Sequence, residues 1–453
     1  MLTQSRPYVS TTNACKLCRP LGAALAFKGI EGAVPFLHGS QGCATYMRRY
    51  LISHFREPVD IASSSLGEKE AVYGGGPNLK KGILNVMKKY RPEVVGVATT
   101  CLTETIGDDA DRLVREFKAE FGDLELPEIV SVSTPAYGGS HMEGFHAAVR
   151  AAVDQLAADA APTPAVNLLP GFVSPEDLRH LKDIFQDFGL PVTVLPDISD
   201  TMDGPTLEDY REIPEGGTPV SAIRRMAGAP ATVEFGRTLQ PERSAGGLLQ
   251  NRHGVRLFSL GLPIGLRETD AFYAALEEIS GRPTPRRHAL ERGRLLDAYV
   301  DGHKYLSGLR AVIYGEEDLV VGLAAFLAEI GVRPVLAASG GGSKRLSAAI
   351  SAVCGSILTE IPRVMEDVDF HDIVEQARAL SPDLVLGNSK GYRVLARELG
   401  IPLIRVGFPI HDRFGAQRLI HLGYRGALRL FDAIVNAVLE KSQDESDVGY
   451  GYL

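Results

Sequence analysis

Val94-Val-Gly-Val-Ala-Thr-Thr-Cys-Leu-Thr-Glu-Thr-Ile-Gly-Asp-Asp109 holds the fold of this chain in miniature. Val94 to Thr99 is an apolar run of strand length without polar alternation, the pattern of a strand buried on both faces in a parallel sheet. Thr99-Thr-Cys-Leu-Thr103 follows at its carboxyl end, where α/β sheets place their ligands. The spacing of Leu113, Val114 and Phe117 then predicts a helix over 109–121 with one buried face. The acids Asp108 and Asp109 are expected to open it by opposing the helix dipole.

The same alternation extends in both directions. Upstream, Ala33 to Leu37 runs into the turn His38-Gly-Ser-Gln-Gly-Cys43; downstream, Ile129 to Val132 runs into Ser133-Thr-Pro-Ala-Tyr-Gly-Gly-Ser140. Strands alternating with helical patterns through Gly, Ser or Thr turns are the mark of βαβ units. Ala157-Ala-Asp-Ala-Ala-Pro-Thr-Pro164 reads as a linker. Beyond it the strand Ala165 to Leu169 turns at Pro170-Gly171 into a helix capped by Ser174, with Pro175 at its first position. Leu190 to Leu195, Thr232 to Phe235 and Val255 to Phe258 are further strands of this second unit. A long helical stretch from Arg282-Pro-Thr-Pro-Arg-Arg287 bridges to a third unit, with strands at Arg310 to Tyr314, Arg333 to Ala337, Asp383 to Leu386 and Leu403 to Val406. The expected fold is α/β, with three Rossmann-like domains built on parallel sheets: residues 1–160, which carry the candidate ligands, residues 161–305, and residues 306–453. The polar tail Lys441-Ser-Gln-Asp-Glu-Ser-Asp447 is expected to be frayed, with Tyr450 and Tyr452 as candidate docking points.

A length of 453 residues exceeds what one hydrophobic core serves. Hydrophobic content of 45% and charged content of 23% are those of a folded globular protein. The 48 basic and 56 acidic residues leave a net charge of −8 without any Lys/Arg block, which argues against nucleic acid as a partner. Met1-Leu-Thr-Gln-Ser-Arg-Pro7 lacks the apolar core of a secretory signal, and no apolar run reaches bilayer length, so a cytoplasmic location without a membrane partner is expected. Of the five cysteines, four fall within the first 101 residues, a distribution suited to ligation in a reducing compartment and not to a disulfide framework.

Three of them, Cys18 in Cys-Arg-Pro-Leu-Gly22, Cys43 and Cys101, open or close a strand-to-helix turn. Backbone N–H groups and the helix dipole there are expected to lower the thiol pKa and favour metal binding. The loop before Cys43 is too polar and glycine-rich for mere packing, and its glycines permit the close approach that N–H···S contacts to a cluster require. Three thiolates are one short of the four that a cubane iron–sulfur cluster takes, so a partner chain would complete the set. Cys15 and Cys18 form a CxxC, but no second CxxC or His pair follows at zinc spacing. Cys354, in the apolar Ala352-Val-Cys354, reads as core packing. Gly74-Gly-Gly-Pro77 lacks the phosphate-loop pattern and reads as a turn, and Ser339-Gly-Gly-Gly-Ser343 as a βα loop. His141 and His146 are five apart, do not share a helix face as a metal pair would, and are expected to be hydrogen-bonding histidines.

Taken in order, Cys18-Arg-Pro-Leu-Gly-Ala23, His38-Gly-Ser-Gln-Gly-Cys43, His54-Phe-Arg-Glu-Pro58, Thr99 to Asp109, Pro170-Gly-Phe-Val173, Gly387-Asn-Ser389 and Ile401-Pro-Leu-Ile-Arg-Val-Gly-Phe-Pro409 resemble the β-type chains of nitrogenase component 1 and its relatives. The resemblance implies a three-domain α/β chain paired with a homologous α-type chain, as an α2β2 heterotetramer. It implies that each chain gives three cysteines to an iron–sulfur cluster on the interface, either an 8Fe–7S cluster of the P-cluster type or a 4Fe–4S cluster. The matching positions are Cys18, Cys43 and Cys101. An ATP-dependent iron protein would deliver electrons over that cluster, and the α-type chain would hold the larger cofactor.

Two functions within the family fit: the β-type subunit of a nitrogenase-like reductase, which is the reading adopted, and the scaffold on which iron–molybdenum cofactor is assembled. Some scaffold branches lack the first and third cysteine, both of which are present here. The chain starts shortly before Cys18, and Ala136 stands where the dinitrogen-reducing β subunit has a serine that can ligate the oxidised cluster. The resemblance therefore does not imply two-electron oxidation linked to such a serine; the short start and the overall wording of the sequence resemble the scaffold, or nitrogenase-like reductases such as methylthio-alkane reductase. A non-catalytic interaction subunit with purely structural cysteines is a third class, and it would carry no iron.

Overall fold

The computed structural model describes residues 14–158, 161–206, 209 and 211–449. Tyr450 and Tyr452, the expected docking points, lie outside them. Three sheets form, each parallel throughout and each flanked by helices. The first contains β1 (Ala33–His38), β2 (Ala62–Ser63), β3 (Val94–Thr99) and β4 (Glu128–Val132), in the order β2-β1-β3-β4. Every residue of β1 and β3 is buried. Ala33, Leu37, Val94 and Ala98 face the core that contains Phe27 and Phe145, while Val34, Phe36, Val95 and Val97 face a separate core with Leu79, Ile83 and Phe117. The unbroken apolar run thus serves two layers with strand periodicity. Gly96 is needed at the crossing, since a Cβ there would sit 2.2 Å from Phe27 Cγ.

The second sheet contains β5 (Val166–Leu169), β6 (Val192–Val194), β7 (Ala231–Phe235) and β8 (Arg256–Leu260), in the order β6-β5-β7-β8. The third contains β9 (Arg310–Tyr314), β10 (Arg333–Ala338), β11 (Arg363–Met365), β12 (Leu384–Gly387) and β13 (Leu403–Arg405), in the order β11-β10-β9-β12-β13. Strand order reverses between β1 and β3, between β5 and β7, and between β9 and β12. Connections leave on opposite sides of such a point and open a crevice at the strands' carboxyl ends.

The expected strands match those observed within a few residues at their ends. The short edge strands β2 and β11 were not foreseen, because two or three residues carry no periodicity. The helix expected from Arg282 starts at Arg286, behind the N-capping Pro285, and runs to Leu306. It packs on the last helix, Gly423–Asp444, where Gly302 leaves room for the Phe431 ring. Ser174 caps its helix as expected, its Oγ accepting from the Asp177 N–H at 2.9 Å. Residues Tyr392–Glu398 form a π-helical turn that the sequence did not announce.

One connection sets the position of the candidate site. The segment from Ala14 to Cys18 runs across the third sheet's crevice to the first sheet: Ala14 bridges Asp369, and its carbonyl accepts from Lys390 Nζ at 2.7 Å. The backbone of Cys15 passes so close to Gly340 that a Cβ there would lie 2.5 Å from the Cys15 carbonyl carbon. Among the described residues no helix is long and apolar enough to cross a membrane.

Candidate functional site

Cys43 and Cys101 follow the two strands that flank the first sheet's crevice. Cys18 arrives from the Ala14 segment. Cys18 is the N-cap of the helix Arg19–Lys28, Cys43 lies in the first turn of Gln41–Phe55, and Cys101 is the first residue of Cys101–Ile106. All three are free and partly exposed. They stand at helix amino ends, as the sequence implied.

The turns beneath them are built from hydrogen bonds between β1 and β3 and their loops. Thr100 N–H and Thr103 Oγ1 both donate to the His38 carbonyl, at 3.1 and 2.9 Å. Gly39 lies so close to Thr100 that a Cβ would come within 2.0 Å of its Oγ1, so the Cys43 and Cys101 loops are in direct contact there. The Gly39 N–H donates to Ser64 Oγ at 2.9 Å, and the same hydroxyl meets His38 Nδ1 at 3.0 Å. Thr134 bonds Thr99 twice, its N–H donating to Thr99 Oγ1 and its own Oγ1 to the Thr99 carbonyl, both at 2.8 Å. That clamp places the Ala136 N–H 3.2 Å from Cys101 Sγ, a direct N–H···S contact.

The electrostatics correct one expectation. The thiols of Cys18 and Cys43 have raised pKa values, not lowered ones. Burial is the largest cause for both; negative charge at Cys101 adds to it for both, and charge at Cys43 adds to it for Cys18. Lys390 partly offsets this at Cys18. At Cys18 and Cys43, desolvation, with repulsion from a neighbouring thiolate added, outweighs the helix ends. A cation beside them would favour their ionisation. Among the described residues no three His, Cys, Asp or Glu side chains are grouped to hold a single metal ion.

Asp108 departs from its expected role: its carboxylate accepts the Gly75 N–H at 2.9 Å and lies 3.2 Å from His38 Nε2, while Asp109 alone caps the helix Ala110–Glu120. Cys15 is sealed in a core with Val312 and Tyr314, its thiol pushed up to about 12 chiefly by burial. Cys354 is likewise buried, its thiol pushed up to about 11 by burial. His141 is hydrogen-bonded, Nδ1 accepting from the Leu17 N–H at 3.4 Å and Nε2 lying 3.2 Å from Glu316. His146 Nε2 is buried with no partner. Sequence reasoning missed Lys390, whose motif was read only as far as Ser389, and the neighbours Tyr46 and Tyr50, whose hydroxyls meet at 3.0 Å.

The fold and site thus define a three-sheet α/β chain with a rim of cysteines at helix amino ends. A family model for nitrogenase component 1 type oxidoreductases matches residues 18–439, and the chain belongs to that family. It is similar to the nitrogenase molybdenum-iron protein beta chain of Clostridium pasteurianum, 35% identical over 96% of this chain and 94% of the relative. The nitrogenase vanadium-iron protein beta chain of Trichormus variabilis is 33% identical over 95% of this chain and 94% of the relative. A solved structure described as nitrogenase Cp1 at pH 6.5 superposes with a TM-score of 0.95 at 33% identity, covering 99% of this chain and 98% of that one. Within the family, this is a β-type chain.

Proposed function

We propose that this chain is the β-type subunit of a nitrogenase-like, ATP-coupled reductase, and that Cys18, Cys43 and Cys101 supply half the ligands of an iron–sulfur cluster shared with a homologous α-type chain in an α2β2 assembly. The reading is carried by one observation: three free, partly exposed thiols stand at helix amino ends around one crevice, close enough for Cys101 to raise the pKa of Cys18 and Cys43 further beyond what burial does. When bound, such a cluster supplies one-electron transfer, here from an ATP-dependent iron protein toward a cofactor in the partner.

The chain's own residues prepare that site. The Ala136 N–H donates to Cys101 Sγ, and N–H···S bonds of this kind draw charge from a ligating sulfur and tune its potential. The Lys390 ammonium counters negative charge at Cys18 while its hydrogen bond to Ala14 fixes the approaching backbone. Partial exposure leaves the sulfurs within reach of a second chain, while the buried strands behind them exclude water. The reductase reading agrees with the names of the relatives, which are nitrogenase beta chains.

The test is to purify the chain anaerobically with its α-type partner, measure iron, and assay substrate reduction with the matching iron protein. Iron with turnover is expected. Iron without turnover, together with apo component 1 accumulating in a deletion strain, identifies a scaffold. An iron-free complex overturns the ligand assignment.

A further inference from the structure

We propose that His38 is a positioning residue for the cluster: its imidazole, set between Ser64 and Asp108, fixes the helix that begins at Cys101 against the turn that carries Cys43. The inference rests on the reading of those cysteines as ligands, and adds a residue that acts on them only through others. His38 ends β1, and its side chain is fully buried. The helix Cys101–Ile106 has six residues, too few to hold its own geometry in water, so whatever grips its ends decides where Cys101 stands.

His38 grips both ends. At the amino end its carbonyl accepts the Thr100 N–H at 3.1 Å and the Thr103 hydroxyl at 2.9 Å. At the carboxyl end, Asp108 donates its N–H to the Thr103 carbonyl at 3.0 Å. Its Oδ2 lies 3.2 Å from His38 Nε2, a polar contact without full hydrogen-bond alignment. The same oxygen accepts the Gly75 N–H at 2.9 Å, and Gly75 packs so tightly that a Cβ there would lie 2.7 Å from it and 2.9 Å from His38 Cε1. On the other edge of the ring, Nδ1 lies 3.0 Å from Ser64 Oγ, which accepts the Gly39 N–H at the start of the Cys43 turn. The order Ser64, His38, Asp108 is that of a hydrolytic triad, but Ser64 and His38 are both buried, so no substrate reaches the hydroxyl. Burial also outweighs the Asp108 charge and holds the ring below its ordinary pKa, in the neutral form that accepts at one nitrogen and donates at the other.

Residues that orient metal ligands from behind cost about tenfold or more in metal affinity when removed. In the anaerobically purified heteromeric complex, Asp108→Ala should therefore release iron to a chelator about tenfold faster than the unsubstituted complex, and shift the cluster's electron paramagnetic resonance signal. Asp108→Asn keeps an oxygen for Gly75 and His38, and should restore both the release rate and the signal. Ser64→Ala loosens the opposite edge of the ring and should act in the direction of Asp108→Ala, which keeps the test decisive if Asp108→Ala does not fold. A lowered Tm with iron release and signal unchanged in Asp108→Ala and Ser64→Ala would reduce the three residues to a structural role and overturn the proposal. An Asp108→Asn complex that behaves as Asp108→Ala does would overturn it too, by assigning the effect to charge and not to position. An unsubstituted complex without iron overturns the ligand reading itself, and this inference with it.

Discussion

Cys18, Cys43 and Cys101 differ from Cys15 and Cys354 only in where the fold puts them. The first three stand at helix amino ends beside a crevice, partly exposed and within each other's electrostatic reach. The other two are sealed among aliphatic and aromatic side chains, with thiols pushed up to about 12 and about 11. One residue type therefore serves as a candidate ligand at three positions and as a small hydrophobe at two. Position at a helix amino end beside the crevice separates the roles, and burial alone does not, because it raises the pKa of Cys18 and Cys43 as well.

The largest effect that separates the two groups is expected in iron content. Cys43→Ala should remove nearly all iron from the anaerobically purified complex and weaken partner association, whereas Cys354→Ala should retain it. Equal iron in the two variants would erase the distinction. Acid should act next, through the far end of the Cys43 helix. His54 is buried there, its Nδ1 accepting the Ile410 N–H at 2.9 Å, and its pKa is lowered from 6.5 to about 3, chiefly by burial. The unfolded chain takes up that proton near pH 6.5 and the folded chain does not, so stability present above that pH is lost as pH falls, by about 3 kcal/mol at pH 4. Denaturant titrations across this window should show the loss. His54→Asn, which keeps an acceptor but no titrating ring, should flatten it.

Gly39→Val would drive a side chain into Thr100 and separate the Cys43 and Cys101 loops, at about 2 kcal/mol of stability together with partial iron loss. Unchanged iron in a folded Gly39→Val protein would show that contact between the loops is not needed. The smallest effect is that of Cys354→Ala, about 1 kcal/mol through lost packing, read as a small shift in denaturation midpoint.

Much of this architecture could be read from the chain. The six-residue strands β1 and β3 were visible because both faces are apolar, and the placement of cysteines at helix amino ends followed from the glycine and hydroxyl residues around them. The two-residue β2 lacked any periodic signal. The sign of the thiol pKa shifts was misjudged, because the local sequence shows a helix end but not the neighbouring thiols or the burial that assembly imposes. Asp108 was assigned to the nearest helix because its partner His38 belongs to an earlier turn, brought beside it only by parallel pairing of β1 and β3. Lys390 was invisible for the same reason, its contact with Ala14 spanning 376 residues of sequence.

That last contact bears on the order of events during synthesis. The stretch leading into Cys18 is held by Lys390, Asp369 and Gly340, all encoded in the final quarter of the message. A nascent chain still on the ribosome can form the first sheet and present Cys43 and Cys101, but it lacks the grip that seats the earliest cysteine. The seat of Cys18 therefore forms only after the third sheet has been made, later than the turns that carry Cys43 and Cys101.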